Sequence, residues 1–170
     1  MMWRWAGGPV VRPAGRPEWA EILPRLIVGE YPTPDDAAWL RGVLRASAVL
    51  SLQDDADLAS KGLVLHNLEQ AYTTEALRFQ RIPVPDCDID FLTARIDAIV
   101  ARLQQWIDAG ERVYLHCNAG MNRAPTVAIA YLHAHHAMPL HEARDYVKRR
   151  RHCVPYMQAL EARYGRGGDA

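Results

Sequence analysis

Val113 to Tyr131 reads VYLHCNAGMNRAPTVAIAY, and the rest of the chain can be interpreted outward from this stretch. Inside it, the pattern H-C-x-x-G-x-x-R places His116 and Cys117 before a loop that contains Gly120 and ends at Arg123. A short apolar run precedes the loop, and a nearly all-apolar helical pattern follows it. We therefore expect the loop to lie between a buried strand and the N-terminus of a helix.

A loop of this length can bind a tetrahedral anion. Five residues separate Cys117 from Arg123, enough to wrap the backbone into a cup with inward N–H groups, to which the helix dipole adds positive potential. The Arg123 guanidinium can hold two phosphate oxygens, and the same surroundings favour the thiolate of Cys117. His116 is interpreted as a supporting residue that orients the loop. The candidate phosphate-binding residues are Asn118, Ala119, Gly120, Met121, Asn122 and Arg123.

A thiolate below a bound phosphate is an in-line nucleophile, and its attack yields a cysteinyl-phosphate that water must later hydrolyse. The attack also needs a general acid for the leaving oxygen. Carboxylates occur upstream in PVPDCDIDF, where Asp86, Asp88 and Asp90 follow a strand-like run and precede a strong helical pattern. Spacing alone leaves the choice among the three open.

These residues resemble the cysteine-dependent phosphatases of the protein tyrosine phosphatase superfamily, and the dual-specificity branch in particular. The resemblance extends from about Ile22 to Tyr164 and includes ILPRLIVG, RIPVPD, HCNAGMNR and RRRHCVPY. In that family the general acid is the first aspartate after the strand that precedes the helix. The resemblance therefore implies a catalytic set of Cys117, Arg123 and Asp86, and a protein phosphatase for phosphotyrosine and phosphoserine or phosphothreonine.

One departure from the family pattern follows the arginine. The family usually has serine or threonine there, whose hydroxyl steadies the thiolate and helps the intermediate to break down, whereas this chain has Ala124. Either turnover is slower in this chain, or the Thr126 hydroxyl substitutes for the one that is missing at Ala124. A catalytically weak phosphate-binding module is one alternative function. Loss of the nucleophile, the arginine or the acid would favour it, and all three are present in this chain.

Phosphorylated glucan or phosphoinositide is the alternative substrate. The RAP sequence after the cup also occurs in the plant glucan phosphatases, which this chain resembles along much of their catalytic domain. Those enzymes, however, carry a second glycine where this chain has Asn122, and aromatic residues where it has Cys87 and, approximately, Ala59 and Ser60. These differences weaken the glucan interpretation.

Other polar groups allow two interpretations each. The acidic segment with Asp54, Asp55 and Asp57 is either a solvated loop or a loop that disfavours anionic substrates. The basic run from Lys148 to Arg151 is either a solvated helix end or a second phosphate-binding patch.

Two further side-chain types, cysteine and histidine, could carry chemistry. Cys87 is expected to be a small buried side chain rather than an oxidation partner of Cys117. The spacing of His133 and His136 resembles a metal pair, but no third ligand is evident, so no metal site and no cofactor are expected.

Strand and helix patterns alternate and are followed by a run of helices. They predict a single α/β domain with a mostly parallel central sheet flanked by helices, with the strand before Cys117 near its middle. The expected division is an irregular arm at 1–20, the catalytic domain at 21–165 and a tail at 166–170. The predicted elements include a helix over 33–45, a loop over 53–62, a strand over 79–84 and a helix from 93 to 110.

Composition restricts the partners. The chain has 170 residues, 49% of them hydrophobic, which suits one domain with its own core. Twenty basic and twenty acidic residues cancel, so neither nucleic acid nor an acidic membrane surface is indicated as a partner.

The apolar runs and the cysteines bear on location. The apolar runs are too short for a membrane span, and three cysteines, an odd number, favour reduced thiols. A cytoplasmic protein is expected, and its oligomeric state cannot be read from the sequence.

Overall fold

The computed structural model describes residues 15–165. Most of the predicted arm and the whole predicted tail lie outside these residues. The strands are β1 (Trp19–Leu23), β2 (Leu26–Gly29), β3 (Ala48–Ser51), β4 (Arg78–Arg81) and β5 (Val113–His116). A 3-10 turn at Pro34–Asp36 leads into α1 (Ala37–Gly42), and the other helices are α2 (Asp55–Ser60), α3 (Leu65–Thr74), α4 (Ile89–Asp108), α5 (Arg123–His135), α6 (Leu140–Arg150) and α7 (Met157–Tyr164).

The strands form one sheet in the order β1-β2-β5-β3-β4. Strand β1 is antiparallel to β2, and all the other pairs are parallel. The predicted α/β domain is therefore confirmed, and β5, which leads directly to Cys117, is the middle strand. Because parallel strands end at the same edge, the segments that follow β2, β3, β4 and β5 meet there.

Two apolar clusters hold the sheet between layers of helices. Side chains alternate along β5, so Leu115 joins the cluster that includes α4 to α7, while Tyr114 joins the cluster that includes α1 and α3. Every residue of β5 is buried. The first ten residues of α5 are buried as well, so the loop between β5 and α5 is held at both ends by the core.

The acidic segment after β3 is not the loop that the sequence predicted, because it contains helix α2. The Asp54 carboxylate accepts a hydrogen bond from the Asp57 N–H at 2.8 Å, and the Asp57 carboxylate accepts one from the Asp54 N–H at 2.9 Å. This reciprocal capping satisfies two N–H groups at the helix start. A D-x-x-D pattern before Leu58 was the signal in the sequence.

Other element boundaries differ from the prediction by a few residues. The first helical segment ends at Gly42 rather than 45, and Arg45 adopts a positive φ of 60°. Helix α4 begins at Ile89 rather than 93, because the Asp88 carboxylate caps it by accepting from the Phe91 N–H at 3.0 Å. None of the helices between residues 15 and 165 is long and apolar enough to cross a membrane.

Candidate active site

The loop between β5 and α5 turns its carbonyl groups outward. Four consecutive carbonyls, those of residues 118–121, accept hydrogen bonds from outside the loop. The donors are the Tyr31 N–H to Asn118 (2.9 Å), the Arg151 guanidinium to Ala119 (2.8 Å) and Gly120 (2.7 Å), and the Val154 N–H to Met121 (2.8 Å). A trans peptide holds its N–H opposite its C=O. The N–H groups of these peptides therefore point to the inner side of the loop, as a cup for an anion requires.

Cys117 and His116 lie at the base of this cup. Cys117 follows the central strand and is only 3% exposed. The Nδ1 atom of His116 lies 2.9 Å from the Cys117 carbonyl oxygen and donates to it when protonated. Burial lowers the pKa of His116 to about 4, and the positive charge of Arg123 also lowers it, although the hydrogen bond to the Cys117 carbonyl opposes the change. His116 is therefore neutral near neutral pH, and its ring contacts the loop backbone, while its supporting role stays a prediction.

Two asparagines brace the cup through their side chains. The Asn118 amide donates to Asp57 at 2.7 Å and accepts from the Gln53 amide at 2.8 Å. The Asn122 amide donates to the Val154 carbonyl at 2.6 Å. Each end of the loop is thus tied to a different neighbouring segment.

Arg123 begins α5 and is 2% exposed. Its Nη1 donates to an Asp57 carboxylate oxygen at 2.6 Å and to the Val84 carbonyl at 2.7 Å. Its Nε lies 3.5 Å from Oδ1 of Asp86. Burial by itself lowers the pKa of Arg123, but the negative charges of Cys117, Asp57 and Asp86 raise it above the ordinary value. The guanidinium is therefore a fixed cation. Its Nη1 makes the two short anchoring bonds, its Nη2 donates to the other Asp57 oxygen at 3.4 Å, and its Nε lies next to Asp86.

Asp57 is a site residue that the sequence interpretation missed. Its carboxylate is buried and accepts from Arg123, Asn118 and the Asp54 N–H. Burial by itself raises the pKa of Asp57, but the hydrogen bond and charge of Arg123, together with the other donors, lower it below the ordinary value. Helical capping turns this carboxylate toward the edge of the sheet where Arg123 lies. The capping pattern in the sequence was the signal that could have separated Asp57 from its acidic neighbours.

The structure separates the three candidate acids. Asp86 lies in the turn after β4 with its side chain 49% exposed, next to the Arg123 guanidinium. The Asp88 carboxylate instead caps α4, and Asp90 lies in the first turn of that helix. Asp86 is therefore the carboxylate that meets the cup.

Tyr156, before α7, contacts the turn that carries Asp86. Its hydroxyl donates to Oδ1 of Asp86 at 3.3 Å and lies 3.7 Å from the Cys87 sulfur. Burial and the hydrogen bond to Cys87 raise the pKa of this phenol, so it is protonated at neutral pH. Cys87 is exposed and has a positive φ of 62°, so the expectation of a buried side chain there is wrong. No sequence pattern indicated this contact, since Tyr156 lies 69 positions after Cys87.

Thr126 does not replace the hydroxyl that is missing at Ala124. The Thr126 hydroxyl donates to the Asn122 carbonyl at 2.6 Å and accepts from the Tyr156 N–H at 2.8 Å. A hydroxyl has one proton. Because that proton is used on Asn122, Thr126 ties the start of α5 to the segment before α7 instead.

The basic run divides into exposed and buried parts. Lys148, Arg149 and Arg150 are exposed at the end of α6, as a solvated helix end requires. Arg151 is 6% exposed and donates to the two cup carbonyls described above. Its guanidinium is thus turned onto the backbone of the loop.

Comparison with known proteins gives one family. The family described as dual specificity phosphatase, catalytic domain, matches residues 47–160. The chain is 33% identical over 144 residues to phosphoglucan phosphatase DSP4 of Castanea sativa, and 30% identical over 145 residues to dual specificity protein phosphatase 2 of Mus musculus. These alignments cover 83% and 85% of this chain but 38% of each relative.

Solved structures share the fold. The active form of Tk-PTP superposes with a TM-score of 0.72 at 21% identity, covering 87% of this chain and 97% of that one. PTPMT1 in complex with PI(5)P superposes with a TM-score of 0.71 at 20% identity, covering 84% and 90%. The resemblance seen in the sequence is therefore confirmed by a match that includes the cup and the Asp86 turn: the chain belongs to the dual specificity phosphatase catalytic domain family.

Proposed function

We propose that this domain is a cysteine-dependent phosphomonoester hydrolase that works through a cysteinyl-phosphate intermediate. One observation carries the proposal. The buried Arg123 guanidinium, at the end of the loop that begins after Cys117, lies 3.5 Å from the half-exposed carboxylate of Asp86. A nucleophile, an oxyanion clamp and a proton donor are thereby available around one anion-binding cup.

In the first step the Cys117 thiolate attacks phosphorus from the base of the cup. A sulfur–phosphorus bond forms while the bond to the leaving oxygen breaks, and Asp86 gives its proton to that oxygen. The inward N–H groups of residues 119–122 and the Arg123 guanidinium hold the equatorial oxygens, where charge spreads in the transition state. The exposure of Asp86 suits this role, because the leaving group departs toward solvent.

In the second step Asp86, now a carboxylate, takes a proton from water. The water oxygen attacks phosphorus, the sulfur–phosphorus bond breaks, and phosphate leaves with the Cys117 thiolate restored. Ala124 supplies no hydroxyl to the departing sulfur, so we expect this step to be slow.

The proposed substrate is a phosphorylated protein, with phosphotyrosine and phosphoserine or phosphothreonine both accepted. Relatives named dual specificity protein phosphatase 2 and 5 support this choice. So does the residue after the acid, Cys87, which offers no aromatic surface on which a sugar ring could stack.

Phosphorylated glucan is the second candidate substrate. One observation favours it: the chain is 33% identical over 144 residues to a protein named phosphoglucan phosphatase. Tyr156, at the rim beside Asp86, is an aromatic residue that could contact a sugar in this chain.

The test is phosphate release from four substrates under the same conditions: a phosphotyrosine peptide, a phosphoserine peptide, a phosphorylated glucan and a phosphoinositide. Cys117→Ser serves as the blank. Preference for the peptides is the expected result. Preference for the glucan would overturn the substrate assignment, and no release above the blank from any of the four would overturn the hydrolase proposal.

A further inference from the structure

We propose that Arg151 is a positioning residue that holds two peptide groups of the cup in the orientation that oxyanion binding requires. Its effect on turnover rests on the proposed phosphatase function, whereas its effect on oxyanion binding does not. The role differs from that of a second phosphate-binding residue, because the guanidinium donates to the protein backbone.

The contact is a fork on two consecutive carbonyls. The Nε of Arg151 donates to the Gly120 carbonyl at 2.7 Å, and its Nη2 donates to the Ala119 carbonyl at 2.8 Å. Nε and Nη2 form one planar edge of the guanidinium, so both bonds are made in the same plane. The residue is buried, so water competes little for either carbonyl.

These two carbonyls determine where two N–H groups of the cup point. The Ala119 carbonyl belongs to the same peptide as the Gly120 N–H, and the Gly120 carbonyl to the same peptide as the Met121 N–H. Because each trans peptide is planar, holding the carbonyls outward on Arg151 turns both N–H groups inward. Arg151 therefore presents two of the donors that a bound oxyanion would use.

Gly120 explains why this part of the cup needs an external clamp. It has a φ of 65°, which glycine adopts without steric cost and from which its flanking peptides can rotate easily. A Cβ at this position would lie 2.9 Å from Nη2 of Arg151 and would also clash with the Gly29 carbonyl. Close packing thus requires glycine, and glycine leaves the peptide orientation to be held by Arg151.

Positive charge alone does not account for the contact. Lys148, Arg149 and Arg150 come just before Arg151 and are exposed. A lysine ammonium in place of Arg151 would keep the charge but lack the planar fork that meets two carbonyls at once. A graded series of variants therefore separates geometry from charge.

The experiment measures the affinity of the full chain for inorganic tungstate, a phosphate mimic, by titration calorimetry at fixed ionic strength. The variants are Arg151→Met and Arg151→Lys, with Arg149→Met as the exposed control. We expect tungstate to bind roughly 10- to 100-fold more weakly to Arg151→Met, since two oxyanion donors are released. Arg151→Lys should recover part of the affinity, and Arg149→Met should stay within about twofold of wild type.

Folding is checked by circular dichroism and urea unfolding of each variant. If Arg151→Met does not fold, Arg151→Lys decides the question, and wild-type tungstate affinity in that folded variant would overturn the proposal. A change seen only with doubly phosphorylated peptides would overturn it too, because it would indicate a second phosphate site.

Phosphate release from the best of the four substrates separates this proposal from the proposed function. If the wild type releases phosphate and both Arg151 variants keep the wild-type tungstate affinity, the positioning role is refuted and the hydrolase function stands. Arg151-dependent tungstate binding without release from any substrate would refute the hydrolase function and leave the positioning role standing.

Discussion

Replacing Asp57 by asparagine should lower both the stability and the activity of this domain. The substitution preserves shape and removes one charge. In the wild type the carboxylate accepts from Nη1 of Arg123 at 2.6 Å, from the Asn118 amide at 2.7 Å and from the Asp54 N–H at 2.9 Å. An asparagine side chain has one oxygen, so its NH₂ group must face at least one of these donors.

The local network makes the mismatch difficult to relieve. Rotating the Asn118 amide would give the new NH₂ an acceptor, but the Asn118 oxygen already accepts from the Gln53 amide. Breaking a buried ion pair by removing one partner costs about 3–5 kcal/mol. Because Arg123 keeps its bond to the Val84 carbonyl, we expect a loss near the lower limit, about 3 kcal/mol in the free energy of unfolding.

Activity should fall because Nη1 of Arg123 loses its charged acceptor on Asp57 and keeps only the neutral Val84 carbonyl. A hydrogen bond to a charged group contributes roughly 1.5–3 kcal/mol. If that interaction is what holds the guanidinium in its clamping orientation, kcat/KM falls by about 10- to 100-fold.

The assays are urea unfolding, where a loss of about 3 kcal/mol lowers the midpoint by roughly 1.5 M, and kcat/KM with an aryl phosphate. Asp55→Asn is the matched control. It lies on the same helix, is 92% exposed and pairs with Arg81 at 2.8 Å. We expect its unfolding free energy to change by less than about 1 kcal/mol and its activity not to change.

Two results would refute this reasoning. Wild-type kcat/KM in folded Asp57→Asn would mean that Arg123 does not depend on Asp57 for its orientation. Equal losses of unfolding free energy and kcat/KM in Asp57→Asn and Asp55→Asn would mean that α2 is sensitive to any loss of charge. The buried Asp57–Arg123 pair would then have no special role.

Three further substitutions test other parts of the site. Asp86→Asn should slow the hydrolysis of an alkyl phosphate by about 10²–10⁴-fold and that of an activated aryl phosphate much less, and equal effects on kcat/KM would exclude Asp86 as the acid. Because burial holds the pKa of His116 at about 4, well below its ordinary 6.5, the unfolded chain takes up a proton at mildly acidic pH that the folded chain does not. The contribution of His116 to the free energy of unfolding is therefore fully present above pH 6.5 and is lost as the pH falls, by about 2 kcal/mol at pH 5. His116→Asn should remove this loss of stability at acidic pH from urea unfolding curves. An unchanged pH dependence in the variant would show that His116 is not its source. Ala124→Ser should raise steady-state kcat about fivefold, through roughly 1 kcal/mol of hydrogen bonding to the departing thiolate, and should reduce the burst of leaving group in stopped-flow measurements. A burst of unchanged size would show that hydrolysis of the intermediate is not the slow step.

The order of elements was predictable because their patterns are local. An apolar run that enters H-C-x-x-G-x-x-R and an apolar helix that leaves it require a central strand, and β5 is that strand. The α2 region was misread as a loop, because its three aspartates suggested a solvated surface. Reciprocal capping by Asp54 and Asp57 overrides that polarity by satisfying the first N–H groups of the helix.

A resemblance of motifs from about Ile22 to Tyr164 predicted the family. Loop spacing and apolar periodicity, both of which are local, predicted the central strand and selected Cys117 and Arg123 as the candidates for chemistry. The partners that hold the loop became visible only in the folded chain. Asp57 lies 66 residues before Arg123, and Arg151 lies 31 residues after Gly120. Parallel strands bring such distant segments to one edge of the sheet, where a buried charge must find its hydrogen bonds, and no local pattern records which segment supplies them.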